Sequence, residues 1–349
     1  MKVLVTGSNG FLGSALVDRL LVHGERDIRC MVRPASNRSR LEAIERQRGV
    51  PLEIVVGSLG SKEAAAKVLA GVDVVYHCAA AMSGPAADMF LNTVVGSKNL
   101  LEALVEGGRL GNAGQGSAST ARSVKVVLVS SFGVYGVADL PRGHILTENT
   151  PLEVHPARRD VYSQSKLRQE KLFWEYHAKY HFPLTVLRPG VIYGPGGNAF
   201  SSRVGMSLLG VFLHLGGENT LPLSYVDNCA EAIAIAGRSD AANGQVYNVH
   251  DDDLPTCGEY LRRYKREVRP IRSLRVPYAA LHGLSRLVER YHAYSKGQLP
   301  AIFTPYKTAT SWKGNRFDNA KLKALGWSQI VPTEEGLRKA FEHLKAHPK

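Results

Sequence analysis

No uninterrupted apolar run in this chain approaches the roughly 20 residues that a membrane-spanning helix needs, although 44% of its 349 residues are hydrophobic. Cysteine is sparse. Cys30, Cys78, Cys229 and Cys257 are scattered and form no Cys-x-x-Cys pair, so buried, reduced thiols are the favoured reading. No internal repeat is apparent. A signal-peptide pattern is missing too, because a glycine-rich motif begins within the first strand and must stay there; a cytoplasmic protein with no transmembrane segment is expected. Acids are the minority charge: 31 Asp and Glu face 44 Lys and Arg, a net charge of +13. Such a surplus concentrates anionic ligands near the surface and would also attract nucleic acid or anionic lipid. The cluster Arg262, Arg263, Lys265, Arg266, Arg269, Arg272 and Arg275 is read first as a solvated basic helix face. A site for a diphosphate-bearing substrate or a membrane surface comes second. The expected partner is a small molecule, not nucleic acid.

Short apolar, β-branched runs recur with helix-length segments between them. Strands are expected near Val3–Thr6, Ile28–Val32, Leu52–Val56, Val72–His77, Val124–Ser130 and Leu184–Leu187. Helical patterns include Phe11–Val22, Ala64–Leu69 and Met89–Val105. Alternation of this kind, with nearly all-apolar strands, predicts an α/β fold with a doubly wound parallel sheet covered on both faces. The small, polar stretch from Gly107 to Ser123 reads as a loop. From about Gly194 the alternation fades into a smaller, mostly helical C-terminal part. There Asp318–Trp327 reads as a short helix closed by a glycine and Glu334–Lys345 as a last amphipathic helix.

Thr6-Gly7-Ser8-Asn9-Gly10-Phe11-Leu12-Gly13 lies between the first strand and the first helix. In that context one glycine allows a tight turn, one lets the backbone approach a pyrophosphate, and one lets helix and strand pack closely. The helix start then directs free N–H groups and its positive dipole end at the phosphates. Gly7, Asn9, Gly10, Phe11, Leu12 and Gly13 are therefore read as a dinucleotide cradle, and the sheet as Rossmann-type. An acid at the end of the second strand would bind a free ribose 2′-hydroxyl. Here stands Arg33, with Arg38 shortly after, and a guanidinium can clamp a 2′-phosphate. NADP(H) is favoured; NAD(H) is the alternative, with Arg33 merely stacking on adenine.

Far downstream, Tyr162-Ser163-Gln164-Ser165-Lys166 puts a tyrosine and a lysine one helical turn apart on the same face. Free tyrosine, with a pKa near 10, is a poor base at neutral pH. A neighbouring ammonium and a cationic oxidised nicotinamide would both favour the phenolate and bring it toward working range. Glu148 and Asp160 flank the approach to Tyr162 and read as loop or capping residues. His177 and His181 would share a helical face, but no third ligand suggests itself, and no metal is expected.

With these motifs in place the chain resembles the extended (atypical) short-chain dehydrogenase/reductases. That family includes nucleotide-sugar epimerases and dehydratases, 3β-hydroxysteroid dehydrogenases and dihydroflavonol reductases. The matching stretches are TGSNGFLG at 6–13, DVVYHCAA at 73–80, NTVVGSKNLLEA at 92–103 and VSSFGVYG at 129–136, followed by YSQSK at 162–166, LRPGVIYGP at 187–195 and YVDN at 225–228, in the family's order. The resemblance implies that Ser131 hydrogen-bonds the substrate oxygen, that Tyr162 moves the proton and that Lys166 also holds the nicotinamide ribose. It implies Asn92 near the cofactor or its water relay and Ala79 and Ala80 beneath the dinucleotide. Pro189 and Val191 would border the nicotinamide amide. Gly57-Ser58-Leu59 departs from the family's Gly-Asp-Leu, so Ser58 and Leu59 would meet adenine without a carboxylate. The helix bearing the tyrosine often forms dimers in this family, which makes a homodimer an expectation by analogy.

Sugar dehydratases of the family carry an Asp-Glu pair where this chain has Phe132 and Gly133, neither of which can assist elimination. Gly190 stands where nucleotide-sugar members often have Asn. LRPGVIYGP, together with GQLPAIFTPYK at 297–307, looks closer to the 3β-hydroxysteroid-dehydrogenase-like branch, whose substrates are largely apolar. The expected activity is hydride transfer between a nicotinamide and a secondary alcohol or ketone. A nucleotide-sugar 4-epimerase with tightly bound NAD is the alternative, and a non-catalytic NADP(H)-sensing regulator a third reading. The substrate is expected among Met82, Ser83, Phe132, Tyr193 and the stretch after Gly194. Residues 1–193 read as the dinucleotide-binding domain with the catalytic residues, and 194–349 mainly as a substrate-binding lobe from which 245–251 returns to the sheet.

Overall fold

Strands that are apolar on both faces can be buried only between two helical layers, which is how this chain uses them. The computed structural model describes residues 1–34, 36–111, 123–295 and 303–348. β1 (Val3–Thr6), α1 (Phe11–Val22), β2 (Ile28–Val32), α2 (Ser39–Arg48), β3 (Glu53–Val56), α3 (Lys62–Leu69) and β4 (Val74–His77) come first. Then follow α4 (Ala86–Phe90), a π turn at Leu91–Val95, α5 (Gly96–Glu106), β5 (Lys125–Val129), a short β6 (Ile145–Leu146), α6 (Val161–Tyr180) and β7 (Leu184–Pro189). β8 (Val191–Tyr193), β9 (Gly205–Leu208), β10 (Val211–His214), β11 (Leu223–Tyr225), α7 (Val226–Arg238) and β12 (Gln245–Val249) continue the chain. It ends with α8 (Cys257–Glu267), β13 (Ser273–Arg275), α9 (Tyr278–Tyr294), α10 (Pro305–Trp312), β14 (Arg316–Phe317), α11 (Ala320–Ala324) and α12 (Thr333–Ala346).

The main sheet has seven strands in the order β12-β7-β5-β4-β1-β2-β3, all parallel. Winding reverses between β1 and β4, so a crevice opens beyond the carboxyl ends of those strands. Successive residues of one strand serve opposite layers. Val3 and Val5 pack with Leu16, Leu20 and Ile233, on the side of α1 and α7. Leu4 joins Val68, Leu100, Leu104 and Phe173, on the side of α3, α5 and α6. No helix among the described residues is long and apolar enough to cross a membrane.

Three details depart from the sequence reading. The expected strands at Leu52, Val72 and Val124 each begin one or two residues later. The expected helix over Met89–Val105 is interrupted by the π turn. Thr93 there is buried, its hydroxyl accepts the Ala81 amide at 3.0 Å and its carbonyl accepts the Ser97 hydroxyl at 2.6 Å; such side-chain bonds compete with the regular ladder and widen the turn. The part after Gly194 is largely helical but also carries a three-stranded sheet of β9, β10 and β13. Its hairpin turns through Leu209 (φ 49°) and Gly210 (φ 78°). Leucine is a poor marker for a turn that favours Asn-Gly, which is why the pair escapes a reading of the sequence. Residues 112–122 of the expected loop, and 297–302 of the GQLPAIFTPYK stretch, lie outside the described residues.

Beneath the crevice a buried ion pair joins α6 to β7. The Arg188 guanidinium donates to the Glu170 carboxylate at 2.5 Å and lies 4.7 Å from the Tyr135 ring, and the Ser130 hydroxyl donates to the same carboxylate at 2.5 Å. Removing one partner of such a pair strands the other charge away from water, a loss of about 3–5 kcal/mol. Arg188→Met should therefore lower unfolding free energy by about that amount in urea titrations, with part recovered in the double variant Glu170→Gln/Arg188→Met. A loss under about 1 kcal/mol would show that Glu170 finds water or another donor.

Candidate active site

The strand-to-helix turn is sterically fixed at two glycines. Gly7 sits at φ 69°, and a Cβ there would lie 3.0 Å from the Ala79 amide nitrogen at the end of β4. A Cβ on Gly13 would fall 2.1 Å from the Gly7 carbonyl oxygen, inside any allowed contact, so α1 can approach β1 this closely only without a side chain. Gly10 precedes α1, donates its amide to the Gly7 carbonyl at 3.0 Å, and faces the cleft. No side chain caps α1 and no acid occupies its first turn. That leaves the helix start free to receive an anion. Ser8 pins the loop to β2 by donating to the Met31 carbonyl at 2.9 Å.

One cleft of about 1230 Å³ runs from this turn across the carboxyl ends of the strands. The residues expected to hold cofactor, substrate or proton line it, whereas Arg38, Glu148, His177 and the basic cluster at 262–275 do not. At one end are Gly7, Asn9, Gly10, Phe11, Leu12, Gly13, Arg33, Ser58 and Leu59; in the middle, Ala79, Ala80 and Asn92; at the other end, Ser131, Tyr162, Lys166, Pro189 and Val191, with Met82, Ser83, Phe132 and Tyr193. The Ser58 hydroxyl oxygen accepts the Gly60 amide at 2.9 Å, so it shapes its own turn as well as facing the cleft. Asn92 stands in the π turn rather than within a regular helix, and its side-chain amide donates to the Asp88 carbonyl at 2.8 Å. Residues that no motif flagged also line the cleft, among them Arg159, Asn198, Phe200, Arg203, Tyr260 and Thr310. They come from loops and helices far apart in the chain, where spacing carries no signal.

α6 positions the tyrosine and lysine. Asp160 caps it, accepting the Ser163 amide at 2.9 Å and the Ser163 hydroxyl at 2.7 Å. The helix stops at His181, which is left-handed at φ 52°. His177 therefore does not share a helical turn with a second imidazole; its ring bonds the Phe182 carbonyl at 2.7 Å. Glu148 accepts the Asn248 amide at 2.8 Å, a structural role.

Lys166 is buried, and its ammonium donates to the Val129 carbonyl at 2.6 Å and the Gln169 side-chain oxygen at 2.5 Å. Burial pushes its pKa down to about 8, against a smaller upward pull from Glu170. Tyr162 moves the other way: burial raises the phenol above its ordinary value, and the Ser131 hydroxyl facing it offsets part of that rise. The sequence suggested that Lys166 would favour the phenolate. In the structure the ammonium is turned to Val129 and Gln169, and the group lowering the phenol is Ser131.

Gln169 continues a buried chain of polar groups. Its amide donates to the Ser97 hydroxyl oxygen at 2.8 Å; that oxygen also meets His77 Nε2 at 2.8 Å, and His77 Nδ1 meets the Thr6 hydroxyl at 2.8 Å. Since Ser97 gives its proton to the Thr93 carbonyl, His77 must donate from Nε2 and accept from Thr6 at Nδ1. Burial, with a smaller push from Lys166, holds this imidazole neutral, at about 3. Each member thus has one consistent donor or acceptor role, and the chain links the glycine turn to the lysine.

Lys166 has a folded pKa near 8 and an unfolded one near 10.4. Between those values the unfolded chain binds more protons, so this group's contribution to stability rises with pH. The thiols of Cys30 and Cys257, pushed up to about 12 by burial and not acted on by Lys166, act in the opposite sense and cancel when variants are compared. Stability of the wild type relative to Lys166→Met should therefore increase from about pH 8 to pH 10 in urea titrations. A difference that stays flat would mean that Lys166 titrates normally.

The family model described as "NAD dependent epimerase/dehydratase family" matches residues 3–249. Among curated proteins, a 3β-hydroxysteroid-dehydrogenase/decarboxylase (isoform 1) of Arabidopsis thaliana is 26% identical, over 98% of this chain and 80% of its own. A 2-alkyl-3-oxoalkanoate reductase of Shewanella oneidensis is also 26% identical, over 96% of this chain and 84% of its own. The solved UDP-glucose 4-epimerase of Bifidobacterium longum, in complex with NAD+ and UDP, superposes with a TM-score of 0.72 at 19% identity, covering 100% of this chain and 99% of that one. Glycine turn, switch-point cleft and family match agree: the chain is an enzyme of the NAD-dependent epimerase/dehydratase family, within the extended short-chain dehydrogenase/reductases.

Proposed function

We propose that this protein is an NADP(H)-preferring oxidoreductase that interconverts a ketone and a secondary alcohol. The observation that carries the reading is that Ser131, Tyr162 and Lys166 face the same cleft as the glycine turn, while Phe132 and Gly133 fill the positions an eliminating acid and base would need. Phe132 is buried and stacked on Phe317 at 5.3 Å, and Gly133 has the Ser163 hydroxyl 2.9 Å from where its Cβ would be. The cradle fits a dinucleotide, because Gly7 and Gly13 leave space only for backbone and α1 opens uncapped toward the cleft. Gly7 to Gly13 would hold its pyrophosphate. Arg33, Ser58 and Leu59 would hold the adenosine end, and Ala79, Ala80, Asn92, Lys166, Pro189 and Val191 the nicotinamide end. When bound, a nicotinamide supplies or accepts the hydride.

The chain's own part is proton transfer and positioning. The Tyr162 phenol, kept protonated by burial, donates to the carbonyl oxygen as it becomes an alkoxide, and the Ser131 hydroxyl steadies the same oxygen. Lys166, held by the Val129 carbonyl and Gln169, positions the nicotinamide end and keeps a positive charge beneath it; the phenol regains its proton from solvent that enters the open cleft. Residues 1–193 supply this machinery, and residues 194–349 mainly shape the substrate end.

Gly190 supports this reading over the nucleotide-sugar one. A Cβ there would lie 2.2 Å from the Pro222 carbonyl oxygen, so the backbone has no room for the Asn that sugar-binding members often carry. The two relatives named above that act on sterols and oxoalkanoates point toward apolar substrates as well.

Tyr162→Phe should lower kcat at least about 100-fold, with the affinity for NADPH, followed by nicotinamide fluorescence, changed less than about threefold. Unchanged turnover would refute the assigned role. Arg33→Asp should invert a preference for NADPH over NADH in the same titration. If both proteins bind the two cofactors alike, the 2′-phosphate assignment fails. Stoichiometric consumption of NADPH distinguishes a reductase from an epimerase, which would retain oxidised cofactor and show no net consumption.

A further inference from the structure

At the substrate end of the cleft, one positive charge has no counterpart among the described residues. Arg203 follows Ser201 and Ser202 in the loop before β9 and lines the cleft. Among the described residues its guanidinium has no hydrogen-bond acceptor and no ion-pair partner; it lies over the Phe317 ring, 6.0 Å from the centroid. The charged groups around it are engaged with others. Arg159 is held by Glu153 at 3.1 Å, the Tyr135 carbonyl at 3.0 Å and the Ser163 hydroxyl at 3.3 Å. Glu153 in turn accepts Tyr306 and the His155 amide, and Asp160 is the cap of α6. Burial acts against the charged form of Arg203, and Arg159 pushes in the same direction, while Asp160 pulls the other way. A guanidinium cannot shed its proton at accessible pH, so the positive charge stays in the cleft.

Its location ties this charge to the reacting end. Phe317, under the guanidinium, stacks on Phe132, and Phe132 directly follows Ser131. Around Arg203 the lining combines apolar walls, Phe200, Leu221 and Leu223, with the hydroxyl residues Thr310 and Ser311. We infer that Arg203 is an anion-binding residue of the substrate subsite, and that the substrate carries a single carboxylate-class anion on an otherwise apolar body. This deepens the oxidoreductase reading of the same cleft and rests on it. One unpaired guanidinium matches one negative charge with a planar, bidentate acceptor. A diphosphate brings at least two charges, and Arg159, the neighbouring cation on this wall, is already neutralised by Glu153.

Calorimetric titration of the full chain and of Arg203→Met with octanoate, octanol and inorganic pyrophosphate tests the assignment. Octanoate should bind the wild type about 10- to 100-fold more tightly than the variant. Octanol should bind both alike, and pyrophosphate should show no dependence on Arg203. The variant should unfold at the same temperature or higher, since the half-buried guanidinium it removes has no acceptor among the described residues. Equal octanoate affinities, or octanoate binding the wild type no better than octanol, would overturn the inference. So would a variant that loses stability while keeping its octanoate affinity, because Arg203 would then be structural. Arg203-dependent binding of pyrophosphate alone would overturn the carboxylate class in favour of a diphosphate. A parallel NADPH titration separates the two levels. If neither protein binds NADPH, the oxidoreductase reading fails; if both bind it equally and octanoate ignores Arg203, only the anion subsite fails.

Discussion

The reacting end of the cleft depends on an ammonium held away from water. Lys166 enters the interior from α6 and is fixed by a main-chain carbonyl at the end of β5 and by Gln169 one turn along its own helix. Those two acceptors do not neutralise it, which is why burial drags its pKa down toward 8. They do decide where it sits. Through Gln169, Ser97 and His77 the same hydrogen-bonded chain ends on Thr6, the residue that opens the glycine turn. A displacement of α6 would leave several buried donors or acceptors unmatched at once, so the distance between the two halves of the cleft is set by polar groups rather than by apolar packing alone.

Three arginines show how differently this fold treats positive charge in and beneath the cleft. Arg188 and Arg159 are each matched to one carboxylate, Glu170 and Glu153, and each also touches the β5–α6 connection through Tyr135. They fasten the floor of the cleft. The arginines of α8 are likewise absorbed locally, Arg263 by Glu267 and Glu334 and Arg266 by Glu267. The +13 net charge is therefore a poor guide to the site. Arg203 differs from all of these in having no acid of its own among the described residues, and uncompensated charge in a cleft often marks a group whose partner arrives with the ligand.

Much of the architecture was legible because burial on both faces imposes a pattern on sequence. The parallel strands and α1 are almost where hydrophobic periodicity places them, and the glycine spacing has a steric meaning that the Gly13 to Gly7 approach makes explicit. The cleft-lining positions carried by motifs were legible too. What escaped was decided by long-range bonds. The π turn exists because Thr93 serves Ala81 and Ser97, and the β9–β10 hairpin turns at a leucine. The orientation of Lys166 depends on Gln169, a residue no motif marked. Arg203 was invisible for the same reason: its significance is the lack of a partner, and a lack of partners is a property of three-dimensional surroundings, not of spacing.

The shape of the substrate end follows from backbone contacts as much as from side chains. Gly190 is pressed against the Pro222 carbonyl, and the Val191 amide donates to that same oxygen at 2.6 Å, so β8 is locked beside the segment entering β11. This closes the wall where a polar side chain could otherwise reach a sugar hydroxyl. On the facing side, the stacked rings of Phe132 and Phe317 remove any group able to assist elimination and extend an apolar surface from Ser131 outward. The apolar stretches of the wall discriminate weakly among apolar bodies, since each methylene is worth only about 1–3 kcal/mol. Polar selection falls to the groups that face the cleft, the Ser131 and Tyr162 hydroxyls at the reacting point and the guanidinium of Arg203, with Thr310 and Ser311, at the substrate end. If Arg203 is the anion-binding residue inferred above, the substrate is defined by the distance between its carbonyl and its charge, which favours a ketone carrying one anion over a highly charged nucleotide.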